Sequence, residues 1–295
     1  MVKALVRLYP RPWRERYGQE LADLLAVGPL TASVVVDVVR GVLDAHLNLP
    51  DLIRGWSTMP ARVRSAAVAT FAAWVTFCLA AAVVGRTVND PRFDMAEHPH
   101  PLIGTARRLA TAALVGSWVV VATAALPLAV AAARQAWRRR DRVALALFAA
   151  PPVGLAVFVG YTVLLIQLLD LPVHSGGNVA MTVSWFALGV TVAAVAGVGA
   201  AAALMRRTEF PPPLLRLAGW AAAAGAAAMS VGLLAGAVYG LGVWIETPTL
   251  FFSSNGLLAT PLPLTWGPLL LVALVAAATA DRAALRGLRA LQAAV

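Results

Sequence analysis

Charge is nearly missing from the middle of this chain. From Arg64 to Asp281 the charged residues fall in short clusters, and six of the gaps between successive ones hold 21, 25, 27, 35, 29 and 34 residues. Hydrophobic residues reach 60% of the whole against 13% charged, a balance foreign to soluble domains. The one cysteine, Cys78, excludes an intramolecular disulfide framework. Lying within the first gap, it reads as a small packing residue. There is no nucleotide-phosphate loop, no serine-nucleophile elbow, no paired-His zinc helix and no Cys cluster. Inside the six spans drawn below there is also no Asp, Glu, Lys, Arg or His of the kind that ion-coupled transporters and intramembrane hydrolases use. These absences point away from an enzyme, and no cofactor is expected.

The gaps themselves carry the positive information. A spanning helix needs roughly 20 apolar residues to cross about 30 Å of hydrocarbon. The expected fold is therefore all-α, a six-helix transmembrane bundle behind a small helical head. The spans are drawn at 65–85, 109–133, 143–169, 179–205, 217–244 and 263–280, within a transmembrane domain of 64–281. Residues 1–63 form the head and 282–295 a basic tail. Assigning the connecting segments alternately to the two sides puts twenty Lys and Arg on one side and four on the other. Cytoplasmic loops carry the excess of Lys and Arg. This orientation puts both termini in the cytoplasm and the protein in the inner (cytoplasmic) membrane. The net charge of +10 then reads as topology and attraction to anionic headgroups, not as nucleic-acid binding. The charged start of the chain also lacks the apolar run of a cleaved secretory signal.

In the head, Trp13, Tyr17, Leu21, Leu24 and Leu25 recur at helical steps from Pro12 onward, and Gly28-Pro29 marks the stop. Thr31 suits the start of a second helix presenting Val35, Val38, Val39, Val42 and His46 on one face, and a third short piece is expected near 51–56. The run Leu8-Tyr9-Pro10-Arg11-Pro12-Trp13-Arg14-Glu15-Arg16-Tyr17-Gly18-Gln19-Glu20, followed by Val39-Arg40-Gly41-Val42-Leu43-Asp44-Ala45-His46-Leu47, resembles the cytosolic helical prefix of certain actinobacterial multi-pass integral membrane proteins of uncharacterised role. It is broadly similar to the short prefixes ahead of some permease-like and signalling membrane proteins. The resemblance covers about the first 50 residues and implies an address and an architecture. Arg14, Arg16 and Glu20 are the candidate docking residues for a cytoplasmic partner or an ATPase subunit.

Within the spans, Gly232, Gly236 and Gly240 repeat at four-residue spacing, and Gly189 and Gly197 do so with Ala193 and Ala201. Small residues let helices approach closely where lipid removes any hydrophobic drive to associate; packing within the chain is the first reading and a homodimer face the second. Pro127 and Pro151-Pro152 predict kinks in spans two and three. The polar side chains in the spans are expected to bond back to their own helices. In the first connecting loop, Asp90, Asp94, Glu97, His98 and His100 form the only ligand-like cluster. The prolines that follow each histidine favour extended backbone, which would turn both imidazoles one way, and His174 would add a third nitrogen. Phe251 and Phe252 suit an interfacial or partly re-entrant segment. Function divides between a regulatory or complex-forming membrane component with a docking head and a permease subunit or small exporter using kinked spans two and three. A metal-responsive sensor is the third option.

Overall fold

The computed structural model describes residues 2–9, 11–26, 59–88, 91–169, 175–253 and 261–292, with a few single positions between 28 and 42. Two helices of the head come first, α1 (Val2–Arg7) and α2 (Arg11–Ala26). Then follow α3 (Met59–Val88), α4 (Pro91–Glu97), α5 (Pro101–Arg139), α6 (Arg142–Leu169) and α7 (Ser175–Val192). A π-helical turn at Ala193–Gly199 joins α7 to α8 (Ala200–Arg207). Last are α9 (Pro212–Glu246), α10 (Pro248–Phe251) and α11 (Leu262–Gln292). There is no strand among the described residues. Six helical segments are long and apolar enough to cross a membrane, so the all-α six-span architecture holds.

The helices outrun the spans drawn from charge alone. The 39 residues of α5 reach about 58 Å at 1.5 Å per residue, nearly twice the hydrocarbon thickness. The sixth span also continues: α11 passes Asp281 and runs to Gln292, with Ala283, Ala284, Gly287 and Ala290 buried. The basic tail is thus largely a helical extension packed on the bundle.

Four helices make the core. α3, α5, α9 and α11 meet around Trp74, Phe77 and Met229, embedded among alanines such as Ala226, Ala273, Ala277 and Ala280. Methyl-sized side chains let neighbouring backbones close up, so dispersion contacts replace the hydrophobic drive that lipid cannot supply. α6 and α7–α8 form a hairpin beside this core. Its most apolar windows are only 6% buried, against 33% for α3, α9 and α11 and 11% for α5, the least buried of the four. Gly154 on α6 seats against the hairpin's other arm, where an added Cβ would come within 2.8 Å of Ala196 and 2.9 Å of Val192.

The prolines expected to kink spans two and three lie inside continuous helices. α5 runs on through Pro127 and α6 through Pro151 and Pro152, while the break in regularity lies at Ala193–Gly199, a stretch with no proline. The glycine stripes serve ring contacts more than backbone contacts. Side chains added at Gly232, Gly240 and Gly189 would meet Phe77, Trp266 and Phe158, whereas Gly236 and Gly197 face open space.

In the head, Tyr9, Leu25 and Val38 are buried together, with Val6, Trp13, Leu21 and Val42 packed around them. Trp13 stacks on Tyr9 at 3.9 Å between ring centroids. The Tyr9 hydroxyl donates to the Val38 carbonyl at 3.3 Å, and burial pushes its phenol pKa up. Of the two leucines expected on the inner face, Leu25 is buried and Leu24 is 74% exposed. Most of the second head helix, the piece near 51–56, Asp90 and His174 lie outside the described residues.

Candidate functional site

The polar chemistry of the spanning body gathers at the end that carries α4 and α10, called here the cap end. α4 is anchored by Phe93, fully buried among Ile103, Tyr239, Val243, Leu262 and Trp266. That anchor fixes Asp94 and Glu97, three residues apart and so neighbours on one helical face. Arg107, in the second turn of α5, reaches both: its Nη1 donates to Asp94 Oδ1 at 2.7 Å and to Glu97 Oε1 at 2.8 Å. The Tyr239 hydroxyl donates to the same Glu97 oxygen at 3.3 Å. The Asp94 side chain is 63% exposed but that of Glu97 only 17%. Glu97 is therefore the inner carboxylate, shared between a guanidinium and a phenol from two different helices.

Arg107 and Tyr239 also border a cavity of about 260 Å³ whose remaining wall is mainly apolar, with Phe77, Leu233, Gly236 and Trp266 among its residues. The arrangement makes a polar clasp at one edge of an otherwise greasy space. Chemically it is a paired charge cluster, since Arg107 already faces two anions.

The ligand-like residues do not converge as the extended-loop reading expects. His98 lies just past the end of α4, with Nδ1 2.8 Å from the Asp94 carbonyl oxygen. His100 sits at the N-cap of α5, its Nδ1 3.5 Å from Glu246 Oε2. Asp94 and Glu97 are brought together, but by Arg107. Among the described residues no three His, Cys, Asp or Glu side chains group as metal ligands. The loop folded as a helix followed by a helix cap, so the two imidazoles took different directions. Phe251 packs on Trp266 and Trp244, while Phe252 is 58% exposed.

The partners Arg107 and Tyr239 had no local signal. Tyr239 lies 142 residues from Glu97 in the chain, and only the packing of α4 onto α9 joins them. The polar residues within the spans behave similarly. Thr76 and Thr123 do bond to their own helices, at the Ala72 and Val120 carbonyls. Ser117, Thr162 and Ser184 also bond to their own helices, at the Leu114, Phe158 and Met181 carbonyls, and in addition pair across to a second helix. Trp74 Nε1 donates to Ser117 Oγ at 2.9 Å, Trp185 Nε1 to Thr162 Oγ1 at 2.9 Å, and Tyr161 Oη lies 2.6 Å from Ser184 Oγ. Ser230 Oγ donates to Asp281 Oδ2 at 2.9 Å.

At the opposite, basic end the chain reverses between α5 and α6 in two residues. Arg140 takes the left-handed conformation at φ 51°, and Asp141 Oδ1 accepts from the Val143 and Ala144 amides at 3.0 and 3.1 Å, capping α6. Arg139 pairs with Glu209 at 3.4 Å and Arg207 with Asp141 at 3.6 Å, tying the loops together. Beneath them, between the core and the hairpin, lies the larger cavity, about 390 Å³, bordered by Trp74, Leu128, Phe148, Pro151 and Met205 among others. The docking candidates of the head divide: Glu20 is exposed, Arg14 is half-buried, and the Arg16 side chain lies outside the described residues. Comparison of the chain with protein-family models, curated proteins and solved structures finds no match.

Proposed function

We propose that the protein is a non-enzymatic integral component of the cytoplasmic membrane, regulatory or complex-forming, with both termini in the cytoplasm and the head as its docking element. The observation that carries this reading is how the polar groups of the body are engaged. Arg107 with Asp94, Glu97 and Tyr239, Trp74 with Ser117, and Ser230 with Asp281 each hold one helical element to another. Groups used in this way build a stable platform, which suits a body that supports a head. The head's motif resemblance to cytosolic prefixes and its exposed Glu20 agree with that assignment, and so does the excess of Lys and Arg on the side of the head.

The test is co-purification from cross-linked cells. Reversing charge at Arg14, Arg16 and Glu20 leaves the helicity of the head intact and abolishes any partner's recovery; a charge-reversed protein that keeps every interaction removes the docking role. Orientation is checked with single cysteines in a background lacking Cys78. An impermeant thiol reagent added to intact cells labels position 95 and spares position 138, and labelling at 138 overturns the topology.

One observation favours the second reading, a permease subunit or small exporter. The larger cavity lies where α5 near Pro127 faces α6 at Pro151, with Ala124, Leu128, Leu147 and Pro151 in its wall. Recovery of an ATPase subunit in the same co-purification selects this reading over the first.

A further inference from the structure

One polar group in the wall of the larger cavity, and one beside that wall, stand apart from the engaged pairs above. Thr70 borders the cavity and is 6% exposed, yet its hydroxyl is buried with no hydrogen-bond partner. Many threonines in this protein bond back to their own helix, as Thr76, Thr111, Thr162, Thr191 and Thr279 do to the carbonyl four residues earlier and Thr123 to the one three earlier. Thr70 breaks that habit where α3 borders the larger cavity. The second group is Arg64. Its guanidinium carbon stands 5.9 Å from the ring centroid of Phe210, itself part of the cavity wall. Its Nε is buried and has no hydrogen-bond partner. Glu209, next in the chain to Phe210, is paired with Arg139 instead.

A buried donor without an acceptor is costly where no water reaches. The acceptors that a bilayer supplies are the phosphate and ester oxygens of its lipids. We infer that the cavity between the core and the α6–α8 hairpin holds one acyl chain of an anionic phospholipid, taken from the leaflet at the basic end. The lipid phosphate sits on Arg64, and an ester carbonyl accepts from the Thr70 hydroxyl. The order along α3 matches the order of groups in the lipid. Thr70 lies six residues past Arg64, about 9 Å deeper, and the apolar wall continues to Trp74. The volume of about 390 Å³ falls within the roughly 300–1,000 Å³ of small-ligand sites. This inference is independent of both functional readings.

The test uses the full chain reconstituted in vesicles of equal dioleoyl-phosphatidylglycerol and dioleoyl-phosphatidylcholine, extracted in mild detergent, with bound lipid read by native mass spectrometry. Wild type is expected to retain one phosphatidylglycerol per chain. Arg64→Gln lowers the preference for phosphatidylglycerol over phosphatidylcholine about fivefold, since one basic residue at a membrane surface is worth about 1 kcal/mol. Thr70→Val weakens retention of both lipids alike. Gly197→Phe loses both, because the new ring enters the cavity that Gly197 borders, where its Cβ meets nothing within 4 Å. If Gly197→Phe fails to fold, Ala201→Phe fills the same space from α8. A wild type that emerges lipid-free, or with the two lipids in their bilayer ratio, overturns the proposal. So does a folded cavity-filled variant that keeps its lipid. Inorganic phosphate in place of lipid reads a headgroup site alone; binding of phosphate equally by wild type and Gly197→Phe also overturns it.

Discussion

The four-helix core and the α6–α8 hairpin are both apolar enough to span a membrane and are used in opposite ways. The core helices α9 and α11 are rich in Ala and Gly and bury a third of their most apolar windows, while the hairpin carries large aliphatics such as Val153, Leu155, Val157, Val159 and Val163 on its exposed face. In water that distribution would be inverted. In lipid, exposure of Val and Leu costs nothing, and what matters is how near two backbones can come. The smallest side chains therefore mark the inside, and the largest mark the lipid face. Hydropathy identifies both regions as spans and is blind to the difference between them.

The sharpest way to break this comparison is a matched pair of truncations. Met229 is fully buried at the centre of the core and Val159 is 50% exposed on the hairpin. Met229→Ala is expected to cost about 2–5 kcal/mol through the cavity it leaves. Val159→Ala should stay within about 0.5 kcal/mol, as for surface positions generally. Thermal unfolding of the two variants in one detergent reads the difference, and equal losses would mean that the hairpin is as integral to the fold as the core.

The legibility of the chain follows the same division. Span number and approximate limits were plain because a charge in hydrocarbon is expensive, so gaps between charges bound the spans. Helix ends were not, since Asp281, Arg282 and Arg286 continue α11 beyond the apolar stretch with alanines still facing the bundle. Asp94 and Glu97 are expected as metal-ligand candidates, and in the structure both pair with Arg107. A histidine and proline pattern says nothing about an arginine ten residues on, or about Tyr239 on a helix far along the chain. Proline offered a local signal for kinks, yet the π-helical turn arose in the featureless run Ala193–Gly199. The sequence also says nothing of whether a threonine's hydroxyl finds its own carbonyl.

The cap-end clasp provides a contrast of intermediate size, between two carboxylates on one arginine. Glu97→Ala removes the shielded partner, leaves the Tyr239 hydroxyl without its acceptor, and is expected to cost about 1–3 kcal/mol. Asp94→Ala removes the partner that is 63% exposed, and solvent-exposed pairs contribute about 0–1 kcal/mol. Only the second loss should shrink with added salt, because screening acts mainly on exposed charges. Unfolding measured at low and high salt separates them. An equal cost at both positions would place Arg107 with the solvated surface and detach the clasp from the bundle.

The smallest contrast lies between two interhelical hydroxyl bonds, one in each region. Ser117, fully buried, accepts from Trp74 Nε1 and donates to the Leu114 carbonyl at 2.6 Å. Ser184 meets Tyr161 in the part-buried hairpin and donates to the Met181 carbonyl at 2.9 Å. Interhelical hydrogen bonds in membranes average about 0.6 kcal/mol and reach about 1.7. Deleting the Ser117 hydroxyl leaves an indole N–H sealed in the core, whereas the Tyr161 hydroxyl can turn away towards the lipid face. Double-mutant cycles isolate each pair from its packing. Ser117→Ala with Trp74→Phe should give a coupling near the upper figure, and Ser184→Ala with Tyr161→Phe one near the average or below. A larger coupling in the hairpin would show that its two arms are clamped by polar bonds more strongly than the core is, and that the hairpin moves as one body against the cavity it covers.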